Sequence, residues 1–101
     1  MTLKAPNKSF TLLTNMANLL ESIETVSDAI DTVNVYDNGQ LGVIYQSSSK
    51  EYLYGIAGDV NEVVETIRYN NIMVQADRND PNYSVGRAVS NYRKDGILTD
   101  L

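Results

Sequence analysis

The apolar positions of this chain change period along its length, and the period sets the expected elements. From Ser9, residues Leu12, Leu13, Met16, Leu19, Leu20 and Ile23 recur at the spacing of one helical face. Val26, Ile30 and Val33 extend the same pattern. The spacing predicts a helix capped by Ser9 and running to about Asp31, with the weak helix formers Thr25–Ser27 as the point where it would divide.

A period of two follows. Val33–Asp37 and Leu41–Tyr45 flank Asn38-Gly39, a pair that tolerates the positive φ angles of a tight hairpin turn. A two-residue loop there sets Tyr36 near Leu41, Asn34 near Val43 and Val33 near Ile44. Val33, Val35 and Ile44 then form the drier face. Ser47–Lys50 reads as a turn into a third strand, Glu51–Ala57, whose tyrosines alternate with Leu53 and Gly55.

The helical period returns at Asp59, which pairs with Glu62 as a capping box ahead of Val60, Val63, Val64 and Ile67. Asn70-Asn71 is the expected stop, and Ile72–Val74 a short fourth strand. Asp77–Asn82 is a loop around Pro81. Ser84 caps a last helix carrying Val85, Ala88, Val89 and Tyr92, ended by Gly96, and the tail from Ile97 frays unless it packs. The expected fold is a single α+β domain over residues 1–101, with 1–8 and 97–101 frayed. Its small antiparallel sheet has three to four strands in a meander around the Asn-Gly hairpin. Two to three amphipathic helices pack on one face.

Composition narrows the chemistry more than the fold. The 101 residues contain no cysteine and no histidine. Disulfides, thiol nucleophiles, Cys/His zinc sites and a histidine general base are therefore excluded. A net charge of −5, with eight basic residues scattered along the chain, argues against direct nucleic-acid binding or a membrane surface. Polar residues Thr14, Asn15 and Asn18 interrupt the N-terminal apolar stretch, so neither a signal peptide nor a spanning helix is expected, and the expected compartment is the cytoplasm.

Three motif-like stretches fail on inspection. Asp77-Arg78-Asn79 opens like a calcium loop, but Pro81, Asn82 and Ala88 stand where an EF-hand needs a ligand, a glycine and a glutamate. Ser47-x-x-Lys50 lacks the other motifs of the penicillin-binding enzymes, and two expected strands flank it. Gly55–Asp59 has neither dinucleotide nor P-loop spacing, and Asp59 would oppose a phosphate. No metal, cofactor or catalytic residue is expected.

Two surfaces remain as candidates. Tyr36, Tyr45, Tyr52 and Tyr54 all fall on expected strands, where tyrosine serves sheet packing or the centre of a protein interface. Glu21, Glu24, Asp28 and Asp31 would lie within about 80° on one face of a continuous first helix. Such a row is either a solvated face or an acidic docking surface for a basic partner. The expected function is that of a small acidic, non-enzymatic protein-binding module: a regulator, adaptor or inhibitor. One version occupies the basic nucleic-acid-binding groove of a partner, as a phage-encoded inhibitor would. The alternative is a homo-oligomeric or structural subunit pairing through a sheet edge or the tyrosine-bearing face.

Overall fold

The computed structural model describes residues 17–101. The expected cap Ser9 and its followers Leu12, Leu13 and Met16 lie outside the described residues. The strands are β1 (Leu19–Glu24), β2 (Ile30–Tyr36), β3 (Gln40–Tyr45), β4 (Glu51–Ile56) and β5 (Leu98–Asp100). Helices α1 (Val60–Ala76) and α2 (Val85–Lys94) fall between the last two strands. All neighbours pair antiparallel, and the spatial order β1-β2-β3-β4-β5 follows the chain. The fold of the described residues is α+β, with five strands and two helices.

The expected first helix is corrected by β1 and β2. Ile30–Tyr36 is rich in β-branched residues at alternating positions, and β3 offers it a partner from Ile30 to Val35, with an irregularity between Ile30 and Thr32. Once β2 is a strand, a helix from Ser9 cannot continue to Asp31. Leu19–Glu24 then pairs on the free edge of β2, burying Ile23 and leaving Leu19 and Leu20 exposed. The apolar spacing that suggested a helix is not used: across the bulge between Leu19 and Glu21, Leu19 stands opposite Tyr36 and Ile23 opposite Val33, on different faces of the sheet.

The β2–β3 hairpin forms where expected, but one residue out of the expected register. Its connection is Asp37-Asn38-Gly39, with Gly39 at φ +80°, and the pairs are Val35 with Leu41, Asn34 with Gly42 and Val33 with Val43. Opposed residues share a face, so this register gathers Val33, Val35, Leu41 and Val43 on one side. The two-residue loop would have set polar Asn34 against Val43. Ile44, expected on the drier face, is half-buried on the other one.

That dry face meets the helices. Val33, Val35, Leu41, Val43 and Tyr54 of the sheet share one core with Val63, Val64 and Ile67 of α1 and Val85 and Val89 of α2. Both expected caps are present. Asp59 accepts from the backbone of Asn61 and Glu62, and the Ser84 hydroxyl accepts from the Arg87 N–H at 3.1 Å. Helix α1 runs through the expected stop at Asn70-Asn71, so Ile72–Val74 is helical rather than a strand. Both asparagines are employed. The Asn70 side chain donates to the Thr66 carbonyl at 2.9 Å and accepts from the Ser84 N–H at 3.0 Å. The tail does not fray: β5 pairs with β4 and buries Leu98.

Asn71 is the buried polar residue that ties α1 to the sheet edge. Its Oδ1 accepts from the Val26 N–H at 2.8 Å and its Nδ2 donates to the Glu24 carbonyl at 3.1 Å. Truncation would leave both backbone groups unpaired where β1 ends. Asn71→Ala is expected to cost about 2–3 kcal/mol, read as a lower urea midpoint at unchanged slope. A loss below about 0.5 kcal/mol would show that water replaces the clamp.

Candidate functional site

Alternation along the strands that sends the valines to the helices sends a different set of residues to the opposite face, which no described element covers. Ser22, Asn34, Tyr36, Gly42, Glu51 and Leu53 stand on it, and a hydrogen-bond chain runs across the strands between them. The Ser22 hydroxyl donates to Asn34 Oδ1 at 2.6 Å. Asn34 Nδ2 donates to Glu51 Oε2 at 2.9 Å, and the Tyr36 hydroxyl donates to the same oxygen at 2.6 Å.

Gly42 makes this crossing possible. It lies on β3 between Asn34 of β2 and Leu53 of β4. A Cβ there would collide with the Glu51 carboxylate. With no side chain on the middle strand, Glu51 lies flat across the sheet and reaches residues two strands away. An interior strand glycine weakens a sheet, and close approach of another group is one of the uses that retain it.

Beside this carboxylate is a pocket of about 210 Å³ lined by Ala17, Tyr36, Gln40, Glu51 and Leu53. Among the described residues, Glu51 Oε1 accepts no hydrogen bond, so one oxygen of the carboxylate stays available to the pocket. The Tyr36 phenol is pushed up to about 12 by burial first, then by its bond to Glu51 and that group's charge, with a smaller opposing effect of Asn34. Tyr36 is therefore a fixed neutral donor rather than a proton-transfer group near neutral pH. Among the described residues, no three His, Cys, Asp or Glu side chains stand close enough to hold a metal ion. The arrangement can hold a cationic group.

The residues singled out from the sequence are dispersed. Of the four strand tyrosines, only Tyr36 belongs to this face. Tyr45, Tyr52 and Tyr54 lie on the helix side, at the end of the sheet near α2. There the Tyr45 and Tyr54 hydroxyls are 2.9 Å apart and the Tyr45 and Tyr52 rings meet edge to face at 5.7 Å. Arg93 lies 5.3 Å from the Tyr54 ring and Lys50 5.2 Å from that of Tyr52. Tyr54 is buried, and its phenol is pushed up by that burial and by Tyr45. This cluster is packing with an exposed rim at Tyr52.

The acidic row does not exist as a helical stripe. Glu21 is on β1 and pairs with Arg68, which also holds Glu65. Glu24 ends β1 with its side chain exposed. Asp28 lies in the β1–β2 link, 3.4 Å from Arg78, and Asp31 is exposed on β2. The strand geometry that replaced the helix separated them. Ser22, Asn34, Gln40, Gly42, Glu51 and Leu53 were not singled out from the sequence. The available signal was a glycine inside a strand pattern, one strand away from an alternating Glu51, Leu53 and Gly55. Comparison of the chain with protein-family models, curated proteins and solved structures returns no match.

The link between Glu51 and Tyr36 is directly measurable. In Glu51→Gln the Tyr36 phenol is expected to titrate below its present value of about 12 yet above the ordinary 10.0, because burial remains. A phenol raised in the folded state gives stability that is whole below pH 10 and lost as the pH climbs to about 12. The loss begins near pH 10 in both proteins, so the variant should lose less stability in total and complete the loss at a lower pH than the wild type. An identical Tyr36 titration by NMR in both proteins would contradict the contact.

Proposed function

We propose that this chain is a small non-enzymatic protein-binding module, a regulator, adaptor or inhibitor, that docks a partner on its open sheet face. The observation that carries this reading is the Glu51 carboxylate, held by Asn34 and Tyr36 in the middle of a sheet face left open by the described elements. A charge fixed in place by neutral donors loses little freedom on binding, which favours it as an interface centre. The net charge of −5 suits a partner with a basic surface, and a nucleic-acid-binding groove is one such surface. This reading replaces a helical acidic row with a single preorganised carboxylate. No helix among the described residues is long and apolar enough to cross a membrane.

A second reading, a homo-oligomeric subunit, is favoured by β1. It is an edge strand whose Leu19 and Leu20 are 53% and 66% exposed. Mass in solution that rises with concentration would favour it over a monomeric adaptor.

The test of the docking face compares capture of partners from lysate of the source cells by the wild type, Glu51→Lys and Glu62→Lys. The two variants make the same charge change, one on the open face and one on exposed α1 across the sheet. Partners retained by the wild type and Glu62→Lys but lost by Glu51→Lys are expected. Equal capture by Glu51→Lys would remove the open face from the account.

A further inference from the structure

Resting on the docking face above, we infer that the pocket beside Glu51 accepts a lysine side chain of the partner, in preference to arginine. The pocket of about 210 Å³ has room for one extended side chain, and lies below the roughly 300–1,000 Å³ typical of small-molecule sites. Its walls divide by chemistry. Leu53, Ala17 and the Tyr36 ring offer apolar surface to an aliphatic stem, while Glu51 and Gln40 supply polar groups at the head.

The choice between the two basic side chains follows from the carboxylate's existing bonds. Arginine binds best when its planar fork meets both oxygens of a carboxylate. Glu51 Oε2 already accepts from Asn34 and from Tyr36, so only Oε1 remains open among the described residues. An ammonium is a compact charge with three donors and needs no second oxygen in the same plane. Oε1, the Gln40 side-chain carbonyl and water complete its shell. Gln40 makes no side-chain hydrogen bond to another described residue, its N–H alone being engaged by Asn38 at 3.2 Å. Among the described residues, no Lys or Arg lines the pocket to repel the incoming charge.

The experiment titrates the full ¹⁵N-labelled chain with Nα-acetyl-lysine methylamide and, at equal ionic strength, with its arginine and norleucine counterparts. The lysine compound is expected to shift the Gly42, Glu51 and Leu53 amides saturably. The arginine compound should bind several-fold more weakly, and norleucine should leave these amides in place. Glu51→Gln should abolish the response, and Gln40→Leu should weaken it several-fold with the rest of the spectrum intact. Equal responses to lysine and arginine, or a response that survives Glu51→Gln, would overturn the inference. If the lysine compound is silent while Glu51→Lys still loses its partners, the lysine anchor falls and the docking face stands.

Discussion

The pairing of β2 with β3 is the constraint on which both faces of the molecule depend. Val33 opposite Val43 and Val35 opposite Leu41 put four apolar side chains on one side of the sheet. The same register puts Asn34 and Gly42 opposite each other on the other side. A slip of one residue would exchange the two sets completely, because strand side chains alternate. Burial of the valines beneath α1 and α2 thus also fixes Asn34, Tyr36 and the gap over Gly42 into which Glu51 reaches. The core and the candidate site are two consequences of one alignment.

The asymmetry of the faces explains why the polar network survives. Buried against the helices, a carboxylate with one open oxygen would cost several kcal/mol unless paired. On the open face no described residue bonds to that oxygen. The hydroxyl of Tyr36 and the amide of Asn34 order the carboxylate without neutralising it. Asn71 performs a different task at the sheet's margin. It holds the end of β1 to α1 through two backbone groups that have no neighbouring strand. Order on the open face rests on that margin, since Ser22 of β1 supports Asn34 from the outer side.

Much of the fold was legible because its signals were local. Asp59 and Ser84 announce helix starts through their own side chains, and the Asn-Gly pair announces a reversal. What was not legible depended on distant partners. Leu19–Glu24 fits a helical period and a strand equally well, and only the free edge of β2 decides between them. Asn70-Asn71 looks like a stop because asparagine competes with helical bonding, yet here Asn71 is satisfied by backbone groups of Glu24 and Val26, and Asn70 by Thr66 one turn back and Ser84 further along the chain. The three-residue tail Leu98–Asp100 becomes a strand only because β4 presents an edge. The site was less legible still. It joins residues from four strands, and the acidic row that the sequence suggested required a helix that the sheet displaces.

The most direct test of the account is NMR cross-saturation of the labelled chain from a bound, protonated partner. If the open face is the docking surface, the resonances of Ser22, Asn34, Gly42, Glu51 and Leu53 lose intensity, while those of Tyr45 and Tyr54 on the helix side do not. Saturation confined to the outer faces of α1 and α2, or to the rim around Tyr52 and Arg93, would contradict it and move the interface to the other side of the sheet.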